Sequence, residues 1–289
     1  MTKKWMVQVP VQIHPLFWLI VCSAVWTGYF IEIITLFVLV MIHELGHAAA
    51  AGAFGWRVDS IQLLPFGGVV KTDEWGTVPA REEITVALAG PFQHILMILI
   101  SLFFYRQGWW TMAWTEYFIQ GNLMIAGFNL LPVYPLDGGR VMLSVLSYFF
   151  PYRFCLHFAL WMGMTGSLSL CMLAFFWSPK GILVHLLILG IFLFYSNYRM
   201  YQQKNIHFVR FLLHRRHHLD LSRSVAKIRI KPDTRLSDVI RKLCKEKYHV
   251  LEITDKNGEL VSILPEEWLL DAYLASPYYK TTIKEWFAS

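Results

Sequence analysis

Charge is scarce in this chain. Only 16% of its 289 residues are Asp, Glu, Lys or Arg, against roughly 25% in an ordinary soluble domain. With 56% hydrophobic residues and a mean hydropathy of +0.43, that shortfall excludes a water-soluble globular protein and points to a membrane protein. Cysteine is scarce too. Cys22, Cys155, Cys171 and Cys244 form no CxxC pair and three of them lie in apolar segments. Neither a disulfide framework nor a thiolate zinc site is indicated. The chain shows no internal repeat, which weighs against a transporter built from repeated halves, and no nucleic-acid motif. The few charges are also uneven. From Tyr201 to Ser289 there are sixteen Lys or Arg against eleven Asp or Glu, so the tail holds an excess of five in a net charge of +6. A basic tail beside a membrane signals a cytoplasmic location and anionic lipid.

Six apolar stretches approach the length of about 20 residues that a spanning helix needs: Ile13–Tyr29, Ile33–Ala53, Ile84–Tyr105, Phe118–Leu136, Phe154–Trp177 and Ile182–Tyr201. Lys3 and Lys4 before the first run resemble a signal peptide, but no small-residue cleavage site follows, so the run reads as a retained span. With both termini inside, the inner loops carry Lys3, Lys4, Arg57, Lys71, Arg81, Arg140 and Arg153, and the outer loops only Arg106 and Lys180. That asymmetry favours cytoplasmic termini. Between the second and third stretches, Val58–Lys71 is too short to cross. Its β-branched residues flank Pro65 and the Gly67-Gly68 pair, which predicts a hairpin or re-entrant loop. An edge strand there could pair with an extended peptide; an amphipathic surface loop is the plainer reading. The expected fold is an all-α polytopic membrane protein of six transmembrane helices with a re-entrant β-hairpin-like loop, followed by a small α/β cytoplasmic domain. The corresponding divisions are 1–201, a basic interfacial linker at 202–224, and 225–289. Histidines at 207, 214, 217 and 218 in the linker read as solvated charge rather than a second metal site.

The chemistry starts at His43-Glu44-Leu45-Gly46-His47. On a helix, HExxH places two imidazoles one turn apart on one face with a carboxylate beside them, the arrangement a catalytic zinc uses. Here the flanks are lipid-like. Each titratable side chain at such a depth costs about 2.5–3.5 kcal/mol on insertion scales, so all three should be paired, ligated or functional. Two ligands leave a zinc site incomplete, because a catalytic zinc takes a third protein ligand and keeps one position open. Asp137, at the end of an apolar stretch and with no Lys or Arg before it there, is the candidate. A headgroup-level helix cap is its alternative reading. Pro132 and Pro135 remove backbone N–H groups just before it and predict a kinked or extended segment. A peptide bond in a transmembrane helix is shielded by its own hydrogen bonds and must unwind to be cut. Asn129, the irregular backbone around Pro132 and Pro135, and the Gly67-Gly68 edge are therefore candidate substrate contacts.

HExxH on one span followed by NxxPxxPLDG, residues 129–138, on a later one resembles the site-2 protease family of intramembrane zinc metalloproteases. Leu64-Pro65-Phe66-Gly67-Gly68 and Ala89-Gly90-Pro91 resemble a branch of it from endospore-forming bacteria. The resemblance implies zinc ligation by His43, His47 and Asp137, with Glu44 as general base toward a water whose pKa zinc lowers to about 7. It implies a membrane-associated pro-sigma factor as substrate, membrane inhibitory proteins as partners, and a place in the mother-cell membrane around the forespore. Many relatives carry Asn where this chain has His94, three residues after Pro91. Hydrogen bonding within the structure is the expected role for that histidine, with a core position or an approach to the site as alternatives. Prenyl-protease-type zincins use a downstream glutamate as third ligand, unlike the Leu136-Asp137-Gly138-Gly139 setting here. A non-proteolytic scaffold or transporter with a regulatory tail remains the alternative outside enzymes, and it leaves the buried cost of His43, Glu44 and His47 unexplained.

Residues 225–273 are similar to a cystathionine-β-synthase (CBS) domain through Asp233–Ile240, His249-Val250-Leu251, Asp255–Gly258 and Leu260–Ile263. One copy implies pairing between chains, hence a homo-oligomer; the resemblance allows an ATP site, with a substrate-docking or oligomerising surface as the other reading. Against the ATP site, Pro265 and Trp268 stand where nucleotide-binding members place Thr and Asp.

Overall fold

The computed structural model describes residues 10–13, 18, 21–22, 25–64, 67–72, 74–176, 182–218, 223–255, 259–275 and 282–288. About half of the first expected span, residues 14–17, 19–20 and 23–24, lies outside these. The helices that build the site are α1 (Phe30–Ala53), α2 (Ala80–Arg106), α3 (Met112–Asn129) and α4 (Asp137–Leu146); α5 (Tyr152–Phe176) and α6 (Val184–His217) complete the helical part. Of these, α1, α2 and α5 are long and apolar enough to cross a membrane.

The helices are built inside out relative to a soluble bundle. In α1 the inward face is Thr35, Leu39, His43, His47 and Ala51, one residue per turn at fourfold spacing. Ile31, Ile34, Leu36, Val38 and Leu45 are exposed. On α2, Glu83, Gly90, His94 and Ser101 are buried while Phe92, Ile95, Leu99 and Phe103 face outward. Apolar side chains outside and polar ones inside is the pattern a lipid solvent dictates.

The segment after α1 is a hairpin, as its sequence predicts. β2 (Val58–Leu64) pairs antiparallel with β3 (Gly67–Thr72), Leu63 facing Gly68, with a bulge between Val58 and Ser60; β1 (Val11–Ile13) adds to β2 in parallel. The order β1-β2-β3 leaves β3 at the edge among the described residues.

The fourth stretch stops being helical where its prolines predict: α3 ends at Asn129, and residues 130–136 form turns before α4 begins at Asp137. Two prolines in four residues cannot supply the N–H groups a helix needs there. No break separates the sixth stretch from the basic linker, because α6 runs unbroken from Val184 to His217. Its last turns bury Phe208, Phe211, Leu212 and Arg215.

That extension explains how the C-terminal module is held. The module has β4 (Ser224–Ile230), α7 (Leu236–Ile240), β5 (Lys247–Thr254), β6 (Leu260–Pro265), α8 (Glu266–Ala275) and α9 (Ile283–Ala288). β4 and β5 are parallel, β5 and β6 antiparallel; the expected turn at Asn257-Gly258 lies outside the described residues. One core joins Tyr152, Leu156 and Leu160 of α5 and Phe208, Phe211 and Leu212 of α6 to Ile230, Val239, Leu251, Ile253, Leu269 and Leu270 of the module. Arg215 seals the joint. It is buried, bonds both Glu266 carboxylate oxygens, and donates to the carbonyls of Cys244 (2.8 Å), Lys245 (3.1 Å) and Lys247.

Candidate metal centre

Three side chains from two distant segments meet in the interior. Helical spacing stacks His43 over His47 on α1, and the proline-rich turn delivers Asp137 as the first residue of α4. His43 Nε2 and His47 Nε2 lie 3.1 Å apart, and Asp137 Oδ2 is 3.1 Å from the first and 3.2 Å from the second. All three are buried. Tetrahedral zinc with bonds of about 2.0 Å places its ligand atoms about 3.3 Å apart, so the observed triangle has the size the ion requires.

The hydrogen bonds behind the imidazoles fix which nitrogens point inward. His47 Nδ1 donates to the Val86 carbonyl on α2 at 2.7 Å, leaving Nε2 as a lone pair. Behind His43 the chain of donors is longer. Asn122 Nδ2 donates to Phe118 O (2.8 Å), so its Oδ1 accepts from His94 Nδ1 (2.8 Å). His94 Nε2 then accepts from His43 Nδ1 (3.0 Å), and His43 Nε2 is left free. Two imidazole lone pairs and a carboxylate oxygen converging on one point could hold a metal ion, and each imidazole has the outer partner that metal-bound histidines require. His94 therefore orients His43, the hydrogen-bonding role expected of it. Gly90 makes the packing possible, since a Cβ there would lie 2.6 Å from His47 Cε1 and 2.8 Å from His43 Cε1.

Glu44 is buried beside the triangle. The edge strand touches it directly: a Cβ on Gly68 would overlap its side chain, reaching 2.6 Å from Oε1. The Gly67-Gly68 pair is thus brought to the site, Gly67 pairing with Leu64 at the hairpin end. The described contacts of Asn129 are local, with Nδ2 donating to Ile125 O at 3.1 Å on its own helix. Pro132 is exposed, and Pro135 follows a cis peptide bond in the turn before Asp137. Asn197 on α6, buried at 0% exposure, donates to the Tyr134 carbonyl and so anchors that turn. A lone amide in an apolar run was its only signal in sequence.

Residues 31–112 match the model of peptidase family M50. Over 289 residues the chain is 32% identical to stage IV sporulation protein FB of Bacillus subtilis, covering 98% of both chains. The chain belongs to peptidase family M50, the site-2 proteases. This M50 protein is also 29% identical over 247 residues to a zinc metalloprotease of Methanocaldococcus jannaschii, covering 84% of this chain and 68% of that one. The solved structure of the site-2 protease from the same archaeon superposes with a TM-score of 0.54 at 25% identity, covering 67% of this chain and 91% of the other. As a family member the chain is a zinc metalloprotease of the site-2 type and a membrane protein.

Proposed function

We propose that this protease hydrolyses a peptide bond in a membrane-associated precursor, with His43, His47 and Asp137 holding zinc and Glu44 moving the protons. The observation that carries the reading is the triangle of three lone-pair atoms 3.1–3.2 Å apart, with a buried carboxylate beside it. When bound, zinc supplies the Lewis acidity that makes water a nucleophile near neutral pH and polarises the scissile carbonyl. Glu44 accepts a proton as the water oxygen bonds to the carbonyl carbon. It returns that proton to the amide nitrogen as the C–N bond breaks, and the second proton of the water passes from the new carboxyl group to the amine, so that a carboxylate and an ammonium are released.

The substrate must be extended to be cut, and β3 is the edge it would join. An unwound segment pairing with Gly67 and Gly68 would lie against Glu44 and recover the backbone hydrogen bonds its helix gave up. Asn129 and the turn at Pro132 and Pro135 would hold the other side. Similarity to stage IV sporulation protein FB supports a sporulation pro-sigma factor as the precursor, membrane inhibitory proteins as controlling partners, and the mother-cell membrane as the location. The strand order of residues 225–289 is compatible with a CBS-like regulatory domain that pairs between chains and takes ATP. With six spans, both termini would be cytoplasmic.

Co-expression with a candidate pro-sigma factor tests the reading by mobility shift. Wild type should shorten the precursor, while Glu44→Gln should retain zinc and leave the precursor intact. A fully active Glu44→Gln protease would remove Glu44 from the chemistry.

A further inference from the structure

Glu83, in the first turn of α2, is 1% exposed and is contacted by three separate parts of the chain. Gly76 N–H donates to its Oε1 at 2.6 Å, from the turn that leads out of the hairpin. Ser144 Oγ donates to its Oε2 at 2.7 Å, from α4. The third contact is Lys245 of the C-terminal module, whose ammonium lies 2.6 Å from Oε1 and is as deeply buried as its partner. That contact is an ion pair rather than a directed hydrogen bond, because among the described residues the ammonium meets no acceptor at hydrogen-bonding angles. Lys245 contributes charge compensation. The same segment holds two helix starts: Glu246 Oε1 accepts the Ala80 N–H of α2 at 2.8 Å, and Leu243 O accepts the Tyr152 N–H of α5 at 3.0 Å.

The position of this junction matters because the metal site is split across it. Glu83 lies one helical turn before Val86, whose carbonyl orients His47. Ser144 lies two turns beyond Asp137 on α4. The Ser144–Glu83 bond therefore ties the half of the site that carries the imidazoles to the half that carries the carboxylate. A buried carboxylate keeps that place only while a cation neutralises it, and the cation comes from a module 162 residues further along the chain.

We propose that Lys245 is a positioning residue for the metal centre. By neutralising Glu83 where α2 meets α4, the C-terminal module sets the spacing between the His43/His47 pair and Asp137. A displacement of the module that withdraws Lys245 loosens metal ligation, and this gives the module a physical means of switching the protease. The inference rests on the zinc reading above and deepens it.

The test is zinc affinity, measured by chelator competition on purified full-length protein in detergent, with melting temperature recorded alongside. Lys245→Met should weaken zinc about ten- to a hundredfold, the range found when groups supporting a metal ligand are removed. Glu83→Gln/Lys245→Met, which deletes both charges and keeps the polar contacts of residue 83, should return to within about threefold of wild type. Wild-type zinc affinity in Lys245→Met, whatever its melting temperature, overturns the proposal. So does a double variant as weak as the single. If Lys245→Met does not fold, Ser144→Ala removes the tie without burying a lone charge: it should weaken zinc in the same direction, and unchanged affinity overturns the proposal. A wild-type protein that binds no zinc would instead sink the metal reading itself.

Discussion

Adding one methyl group at position 68 should disable catalysis while sparing the metal. The backbone of Gly68 has no positive φ, so alanine meets no conformational penalty there. The conflict is spatial. The new Cβ would overlap the Glu44 side chain and sit 2.6 Å from its Oε1, about 0.8 Å inside ordinary contact at about 3.4 Å. Part of the overlap falls on Cγ, close to the main chain of α1, where rotation of the carboxylate relieves little of it. Either Glu44 or the edge strand must move by roughly 1 Å. A displacement of that size at a reacting group costs about a hundredfold in rate, which is about 2.7 kcal/mol of transition-state stabilisation. His43, His47 and Asp137 are not among the nearest atoms that Cβ meets. Gly68→Ala should therefore purify with the zinc content of the wild type and a similar melting temperature, and cleave a fluorogenic or gel-shift substrate about a hundredfold more slowly. Cleavage at the wild-type rate would mean that β3 does not approach Glu44 as described, and the edge-strand model of substrate binding would go with it.

Three further outcomes follow from the same structure. Asn122→Leu removes the acceptor that fixes His94 and, through it, His43; zinc affinity should drop about ten- to a hundredfold in chelator competition, and an unchanged affinity would refute the relay. Asn197→Leu frees the Tyr134 carbonyl and the turn leading to Asp137; a loss of about 1–3 kcal/mol in stability is expected, together with looser zinc, both read on the purified protein. Burial tends to raise the Glu266 carboxyl, but the hydrogen bond from His249 and the charge and hydrogen bonds of Arg215 outweigh it and hold the group below its ordinary value. Its stabilisation is present above the unfolded carboxyl pKa of about 4.3 and is lost as pH falls through the lower folded value. The melting temperature should thus fall between pH 5 and 3 more steeply in wild type than in an Arg215→Met/Glu266→Gln variant, and equal slopes would contradict the pairing.

What could be read from sequence was local or repetitive. HExxH declares itself because two histidines four apart need only helical geometry to meet, and lipid-like flanks make their burial costly enough to demand a purpose. Asp137 was legible as an acid ending an apolar run with no cation before it. Pro132 and Pro135 announced the non-helical segment before it, while its place at the start of a new helix was only the alternative reading, because residues 130–136 are apolar enough to count toward a span. The hairpin showed through Gly67-Gly68 and β-branched flanks, whereas the closeness of Gly68 to Glu44 depends on how α1 packs against β3. The Glu83–Lys245 pair lay beyond reach, since each residue alone looks like ordinary surface charge. The unbroken α6 was hidden by a change in composition near residue 201, which alters the solvent a helix faces without ending the helix.

The most direct test is zinc-edge X-ray absorption on purified Glu44→Gln protein, compared with Glu44→Gln/Asp137→Ala. One zinc per chain with two imidazole nitrogens and a carboxylate oxygen at about 2.0–2.2 Å, the oxygen contribution falling when residue 137 is alanine, is the expected result. Protein that holds no stoichiometric metal, or a spectrum indifferent to residue 137, would show that α1 and α4 do not share an ion.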